Sequence, residues 1–236
     1  MHGKRVAILG GSSGIGLRVA ERVVAQGGSV VLGGRDEAAL AAVCSSLGAV
    51  ASARRVDSSD KHTIASFFDG IGPLDHLFTP GSSYSYGAID EITDEVAESP
   101  FRSKFWGQYY AVKHALPHMQ PGGSVVLMSG AAGARPLGSA SAYAACNSAI
   151  EGLGRALALE LAPLRVNVVA PGTIDSELWR RRPDDTRQAA YEGYSALTAL
   201  KRVGTVDEVA GAVMFLMENG YTTGSTLYPD GGYTLR

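Results

Sequence analysis

Charge, cysteine and long apolar runs are all in short supply in this 236-residue chain. Charged side chains make up 19% of it, and 21 basic against 23 acidic residues leave a formal net charge of −2. That balance supplies no positive field for phosphate backbones, so generic nucleic-acid binding is excluded. The two cysteines, Cys44 and Cys146, cannot build a disulfide framework. This fits a reducing compartment, and the expected location is the cytoplasm. No apolar run approaches the ~18 residues that a membrane span needs, so no membrane partner is expected. Behind Lys4 and Arg5 only residues 6–9 are apolar, too few for the core of a signal peptide. Glycine, by contrast, is abundant: 30 of 236 residues, about 13% against a usual figure near 7%. Without a collagen period, that excess points to tight turns and close backbone approach.

Short apolar runs at residues 6–9, 30–32, 74–78, 125–128 and 166–169 read as buried strands. Between them lie amphipathic stretches at 15–26, 37–47, 101–119 and 143–161, and another follows at 208–217. Continuous apolar strands alternating with helices predict an α/β fold, a doubly wound parallel sheet with helices on both faces. No boundary, repeat or linker interrupts the alternation, so residues 1–236 are expected to form a single domain. The one long irregular stretch, 172–204, is rich in Arg, Asp, Tyr and Ser. A segment of that length is usually functional, and a lid or substrate-loop insertion is expected at about 173–204.

The first strand runs directly into Gly10-Gly11-Ser12-Ser13-Gly14-Ile15-Gly16, after which a helix begins. Gly10 permits the sharp turn, Gly14 lets the backbone approach a pyrophosphate, and Gly16 allows close helix–strand packing. Ser12, Ser13 and Ile15 complete the loop around a helix N-terminus, whose free N–H groups and partial positive charge suit phosphates. A plain βα turn is the alternative. The position, after the first strand and before the first helix, favours nucleotide binding in a Rossmann fold. About 20 residues on, the second strand ends in Gly33-Gly34, and Arg35 follows where an acid would select NAD. Guanidinium is a bidentate phosphate partner, so NADP(H) is expected over NAD(H). Were Asp36 to hold a ribose, with Arg35 solvated, the choice would reverse.

The Gly-x3-Gly-x-Gly spacing resembles that of the short-chain dehydrogenase/reductase family. So, in order, do Asp57 after the third strand, Pro171-Gly172-Thr173-Ile174 after the sixth, and the closing Asp230-Gly231-Gly232. The resemblance covers nearly the whole chain. It implies that Asp57 and Ser58 lie at the adenine, that Pro80 and Gly81 border the cofactor, and that Pro171, Gly172 and Ile174 lie beside the nicotinamide. It also implies a homotetramer or homodimer. The family's chemistry is hydride transfer between nicotinamide and a carbinol or carbonyl carbon. A tyrosine acts as acid or base, a lysine four residues later lowers its pKa, a serine thirteen residues earlier holds the substrate oxygen, and an asparagine on an earlier helix anchors a relay water. Here the tyrosine is Tyr143, but Asn147 stands at the lysine position and Gly130 at the serine position. Lys104, three residues before Gly107, takes the asparagine position, and Thr79-Pro80-Gly81 replaces the family's Asn-Ala-Gly. The chain looks like a divergent branch.

A phenol of pKa about 10 is a poor base at pH 7 unless a cation or hydrogen bonds stabilise its anion. Lys104 and Asn147 occupy each other's expected positions, so an ammonium that has moved across the site can still face Tyr143. Asn147 would then hold the ribose or a relay water; two independent losses are the alternative. Ser129, Ser139 and Ser141 are out of register for the missing hydroxyl and read as turn or cap residues. His114 and His118 have metal-ligand spacing but no third ligand, so no metal is expected. Cys146 reads as a packed thiol, and Trp106, Tyr109 and Tyr110 as core or interface. Arg180-Arg181-Arg182 is either a solvated run or a clamp on an anionic substrate. Leu178, Trp179, Tyr191, Tyr194, Leu197 and Leu200 suggest a pocket for an apolar or aromatic small molecule. The expected function is an NADP(H)-dependent oxidoreductase interconverting a carbonyl and an alcohol. The alternative is a cofactor-binding homologue with non-redox activity (isomerase, dehydratase or cyclase) or a pseudoenzyme.

Overall fold

All five apolar runs lie side by side in one parallel sheet. The computed structural model describes residues 1–136 and 138–235. Its first half comprises β1 (Arg5–Leu9), α1 (Gly14–Ala25), β2 (Ser29–Gly34), α2 (Glu37–Leu47), β3 (Ala51–Arg55), α3 (Lys61–Phe68) and β4 (Leu74–Thr79). Then come α4 (Asp94–Pro100), a π-helical turn (Phe101–Trp106), α5 (Gly107–Ala115), β5 (Met119–Met128), α6 (Ser141–Glu160) and β6 (Arg165–Val169). The chain continues through β7 (Ile174–Asp175), α7 (Glu177–Arg180), α8 (Asp184–Leu197), β8 (Gly204–Thr205), α9 (Val206–Glu218) and β9 (Thr226–Leu227).

The main sheet has seven strands in the order β3-β2-β1-β4-β5-β6-β9, every pairing parallel. Both of its faces are covered. Ala7, Leu9, Leu77, Val125 and Val168 pack with residues of α3, α5 and α6, while Val6, Ile8, Leu32, Val126 and Val169 pack with α1, α2 and α9. Burial on both faces is why these strands read as unbroken apolar runs rather than alternating ones. Strand order reverses at β1, which has β2 on one side and β4 on the other. Ligands of open α/β sheets bind in the crevice beyond the carboxyl ends at such a reversal, here between the loops after β1 and β4.

Three elements depart from the expectation. The stretch 101–119 is composite: α4 ends at Pro100, the π-helical turn carries the chain into α5, and Met119 already belongs to β5. Helix α3 lacked a long apolar period, and its start is set by Asp60, whose carboxylate accepts the His62 N–H at 2.8 Å. The segment 172–204 is not irregular, since it holds α7, the 14-residue α8 and a small two-stranded sheet of β7 and β8. Helix α8 fully buries none of its residues, resting on half-buried Tyr191 and Tyr194, and Asp184 and Asp185 in its first turn suit the helix dipole.

Helix α9 opens with a capping box in which Thr205 and Glu208 each bond the other's backbone N–H. Thr205→Ala should cost about 1 kcal/mol and lower Tm by roughly 2–4 °C. A thermal melt with unchanged Tm would leave the junction to the Arg202–Glu208 ion pair alone.

Candidate active site

The loops after β1, β2, β4, β5 and β6 enclose a crevice of about 570 Å³. Its floor is made by three glycines with separate tasks. A Cβ on Gly10 (φ +111°) would lie 2.5 Å from the Gly81 nitrogen, so glycine there lets the two switch-point loops touch. One on Gly16 would lie 1.9 Å from the Gly10 carbonyl oxygen, so glycine there lets α1 start against the turn. Gly14 (φ +55°) faces open space with nothing within 4 Å, the cradle that a pyrophosphate requires. Ser12, Ser13 and Ile15 line the same wall. Ser13 caps α1 without a side-chain bond, leaving first-turn N–H groups to an anion.

Arg35 lines the crevice at the end of β2. Asp36 is engaged elsewhere: its carboxylate accepts the Ala39 N–H at 2.9 Å as the N-cap of α2. Ser58, Pro80, Gly81, Pro171, Gly172 and Ile174 also line the crevice. A Cβ on Gly172 would come within 3.0 Å of Asp230, so the Pro-Gly segment packs on the closing Asp-Gly-Gly. Asp230 in turn accepts the N–H groups of Gly232 and Thr234. Asp57 stands apart from the lining residues, its carboxylate accepting the N–H and hydroxyl of Ser59 at 2.9 and 2.6 Å. Burial raises that carboxyl's pKa, but the Ser59 bonds and the charges of Arg35 and Arg55 bring it below the ordinary value. The floor, the free N–H groups and the guanidinium together fit a phosphate-bearing dinucleotide.

At the opposite wall, Tyr143 lies in the first turn of α6. The buried stripe of that helix runs Asn147, Ile150, Glu151, Gly154, Leu157, Ala158, at spacings of three and four. Asn147 is therefore one turn beyond Tyr143, and its amide donates to the Tyr143 carbonyl at 2.8 Å. Lys104, only 3% exposed, projects from the π-helical turn into the same place. Its Nζ donates to Asn147 Oδ1 at 2.5 Å and to the Ser129 carbonyl at 2.9 Å. It lies 5.1 Å from the centroid of the Tyr143 ring. The two exchanged residues thus bond each other, and the ammonium faces the phenol. Burial raises the Tyr143 pKa; the Lys104 charge and hydrogen bonds from Tyr84 and Asn147 outweigh it, leaving the phenol below its ordinary value of 10.0.

Two residues that sequence reasoning passed over complete the wall. Tyr84 places its hydroxyl 3.1 Å from that of Tyr143, with the rings stacked at 4.7 Å, and Tyr86 stacks on Tyr143 at 5.4 Å. Their one signal was the Tyr84-Ser85-Tyr86 run soon after Pro80-Gly81. Gln108 was also missed. Its buried amide accepts from the Thr79 hydroxyl and the Met128 N–H and donates to the Met128 carbonyl, holding the ends of β4 and β5 together.

A family model described as "Enoyl-(Acyl carrier protein) reductase" matches residues 10–234. The chain belongs to the short-chain dehydrogenase/reductase family. A 3-oxoacyl-[acyl-carrier-protein] reductase of Mus musculus is 32% identical over 239 residues, covering 98% of each chain. The cyclic-di-GMP-binding biofilm dispersal mediator protein of Escherichia coli (strain K12) is 31% identical, covering 98% of this chain and 97% of that protein. A solved small-chain dehydrogenase in complex with NADPH superposes with a TM-score of 0.85 at 29% identity, over 99% of this chain and all of that one.

Within this short-chain dehydrogenase/reductase the other candidates scatter. Ser129 directs its hydroxyl at the Asn147 carbonyl and at Glu151, whose other oxygen accepts from Tyr228 at 2.6 Å. Ser139 and Ser141 are exposed beside the start of α6. The Cys146 thiol is buried and bonds the Pro100 carbonyl, tying α6 to the end of α4. Among the described residues no three His, Cys, Asp or Glu side chains cluster, and His118 stacks on Phe68. Trp106 and Tyr109 are exposed, edge-on to each other. Arg180 forms a bidentate pair with Asp175, whereas Arg181 and Arg182 line the crevice, Arg182 lying 4.4 Å over Trp179. Of the apolar residues in the segment expected to form a lid, Leu178, Trp179 and Tyr194 reach the crevice; Tyr191, Leu197 and Leu200 are not among its lining residues. No helix among the described residues is long and apolar enough to cross a membrane.

Proposed function

We propose that this chain is an NADP(H)-dependent oxidoreductase interconverting a carbonyl and an alcohol on a small apolar or aromatic substrate, with Tyr143 exchanging the proton. The observation that carries this reading is the Lys104 ammonium bonded to Asn147 and facing the Tyr143 phenol. When bound, the nicotinamide supplies or accepts the hydride. In reduction Tyr143 gives its proton to the carbonyl oxygen as negative charge gathers there, and in oxidation it takes the hydroxyl proton. Lys104 stabilises the phenolate that remains. Asn147 fixes the ammonium and, through the Tyr143 carbonyl, the start of α6. Trp179, Leu178 and Tyr194 close the apolar side over the substrate. The solved relative holding NADPH supports the cofactor class. The exposed Trp106 and Tyr109 support a homodimer or homotetramer, and two unpaired cysteines fit a cytoplasmic setting.

Arg35 supports the phosphate form, because Asp36 is committed to capping α2. Arg35→Ala should weaken NADPH binding by roughly 1.5–3 kcal/mol, the worth of charge-assisted hydrogen bonds, and leave NADH nearly untouched. Equal losses for both in a binding titration would remove Arg35 from the 2′-phosphate. The function itself is tested by following nicotinamide absorbance with NADPH and a panel of aldehydes and ketones. Consumption dependent on the carbonyl supports it. Tight NADPH binding with silence across the panel supports the second reading, a cofactor-holding homologue without redox chemistry, which the missing hydroxyl at Gly130 favours.

A further inference from the structure

We infer that Tyr84 is a second catalytic phenol, bonded to the reacting oxygen of Tyr143 and standing in for the substrate-facing hydroxyl that Gly130 lacks. The inference rests on the reading of Tyr143 as the proton-exchanging group. Gly130 has an extended backbone (φ −169°) that any residue adopts, and a Cβ there would lie 3.1 Å from the Tyr143 oxygen and 3.2 Å from Asn147 Oδ1. That position addresses the phenol but carries no side chain to do so. The neighbouring Ser129 is turned onto α6, as described. Among the described residues, the hydroxyl bonded to the Tyr143 oxygen is that of Tyr84, at 3.1 Å.

Tyr84 belongs to the loop between β4 and α4, yet its backbone is clamped on both sides. The Ser83 N–H donates to Ser103 Oγ, which returns a bond to the Ser83 carbonyl at 2.6 Å. The Ser85 N–H donates to Ser99 Oγ at 3.1 Å, and that hydroxyl lies 3.2 Å from the Ser85 carbonyl. Ser99 and Ser103 are one helical turn apart, and Lys104 follows directly. One stretch of helix therefore positions both the ammonium and the second phenol against Tyr143, which is how a rigid site rather than a loose loop is built.

The groups facing Tyr143 are Lys104 from the π-helical turn, Tyr84 and Tyr86 from the β4–α4 loop, Cys146 and Asn147 from α6, and Tyr194 from α8. Their effects separate the two phenols. Burial and the neighbouring Tyr143 hold the Tyr84 proton on, while Lys104 makes that of Tyr143 easier to lose. The hydrogen bond sets the roles: Tyr84, whose hydroxyl donates to the Tyr143 oxygen, is the fixed donor, and Tyr143, the ring nearer the ammonium at 5.1 Å against 5.7 Å, is the exchanger. In reduction the carbonyl carbon gains the hydride and its π pair moves to oxygen, which takes the proton as the Tyr143 O–H bond breaks. The electron pair left on Tyr143 accepts the Tyr84 hydrogen bond and feels Lys104, until solvent water returns a proton.

The test titrates Tyr143 directly in the full chain carrying tyrosine labelled with ¹³C at Cζ, its resonance assigned by loss in Tyr143→Phe. Tyr84→Phe should raise the Tyr143 titration midpoint by about one pH unit, the worth of a hydrogen bond to a charged group. Tyr86→Phe, which removes a stacked ring's hydroxyl that does not bond Tyr143, should leave the midpoint in place. With a carbonyl substrate found in the panel, Tyr84→Phe should slow turnover ten- to a hundred-fold at pH 7, and adding Gly130→Ser should restore part of it. A midpoint that moves by less than half a pH unit in Tyr84→Phe, or moves equally in Tyr86→Phe, overturns the inference. If no carbonyl is consumed the proposed function fails, while the titration still decides the role of Tyr84.

Discussion

Tyr143→Phe should lose turnover by roughly 10²- to 10⁴-fold, the usual contribution of a general acid–base group, while NADPH binds as before. The ring keeps its stacking on Tyr84 and Tyr86, so the wall of the crevice survives and only the transferable proton is removed. The glycine loop proposed to hold the phosphates follows β1, across the crevice, and is held by close backbone approaches among Gly10, Gly16 and Gly81 that the substitution does not reach. Steady-state rates and a cofactor titration, run on the same preparation, separate the two quantities. Unchanged turnover would place the proton transfer elsewhere and favour the non-redox reading.

Lys104→Met should slow the same reaction by up to about a hundred-fold and move its pH dependence upward. The ammonium lies 5.1 Å from the centre of the Tyr143 ring, and a unit charge about that far from a phenolate at an effective dielectric near 20 is worth roughly 3 kcal/mol. The partners of the ammonium are an amide oxygen and a carbonyl oxygen, and no carboxylate among the described residues forms an ion pair with it. It is hydrogen-bonded without being neutralised, so its full field reaches the phenol. The sign follows directly: removing the positive charge makes the phenolate harder to form. The rising limb of alcohol oxidation and the falling limb of carbonyl reduction should therefore both shift to higher pH. The substitution also strands Asn147 Oδ1 and the Ser129 carbonyl, which costs about 1–3 kcal/mol of stability. That loss lowers Tm but does not displace a pH profile, so the profile is the deciding measurement. Lys104→Asn combined with Asn147→Lys should recover part of what either single change loses. Strictly additive losses with an unmoved profile would reduce Lys104 to a structural prop.

How far the sequence foretold this site depended on which residues had a period to constrain them. The sheet was legible because both faces are buried, and unbroken apolar runs admit few other readings. The glycine loop was legible because each glycine answers a different steric demand. That the Lys104 ammonium could face Tyr143 was read from the exchanged positions in the family pattern; its bond to Asn147 was not foreseen, because no local spacing relates two separate helices. Tyr84 had no such guide: it lies in a loop, where direction is set by the Ser83–Ser103 and Ser85–Ser99 bonds rather than by local repeat. Helix α8 escaped because none of its residues is fully buried, its contact being limited to half-buried side chains such as Tyr191 and Tyr194 against Trp179. Asp57 was placed by resemblance alone; its carboxylate accepts from Ser59, next to the lining residue Ser58.

The π-helical turn has a consequence for how this segment can vary in length. Each residue of a helix rotates the next by about 100°. A widened turn holds one residue more than the α-helical count, and Lys104 sits within it. The turn absorbs its extra residue by widening, so the helices on either side keep their phase across it. Removing a single residue from the turn would restore a regular helix and leave those flanks in place, while the side chains of the turn itself, Ser103 and Lys104 among them, would be re-aimed around the axis. A deletion that the helix itself tolerates would thus take the ammonium from Tyr143 and one of the two serine clamps from the tyrosine loop.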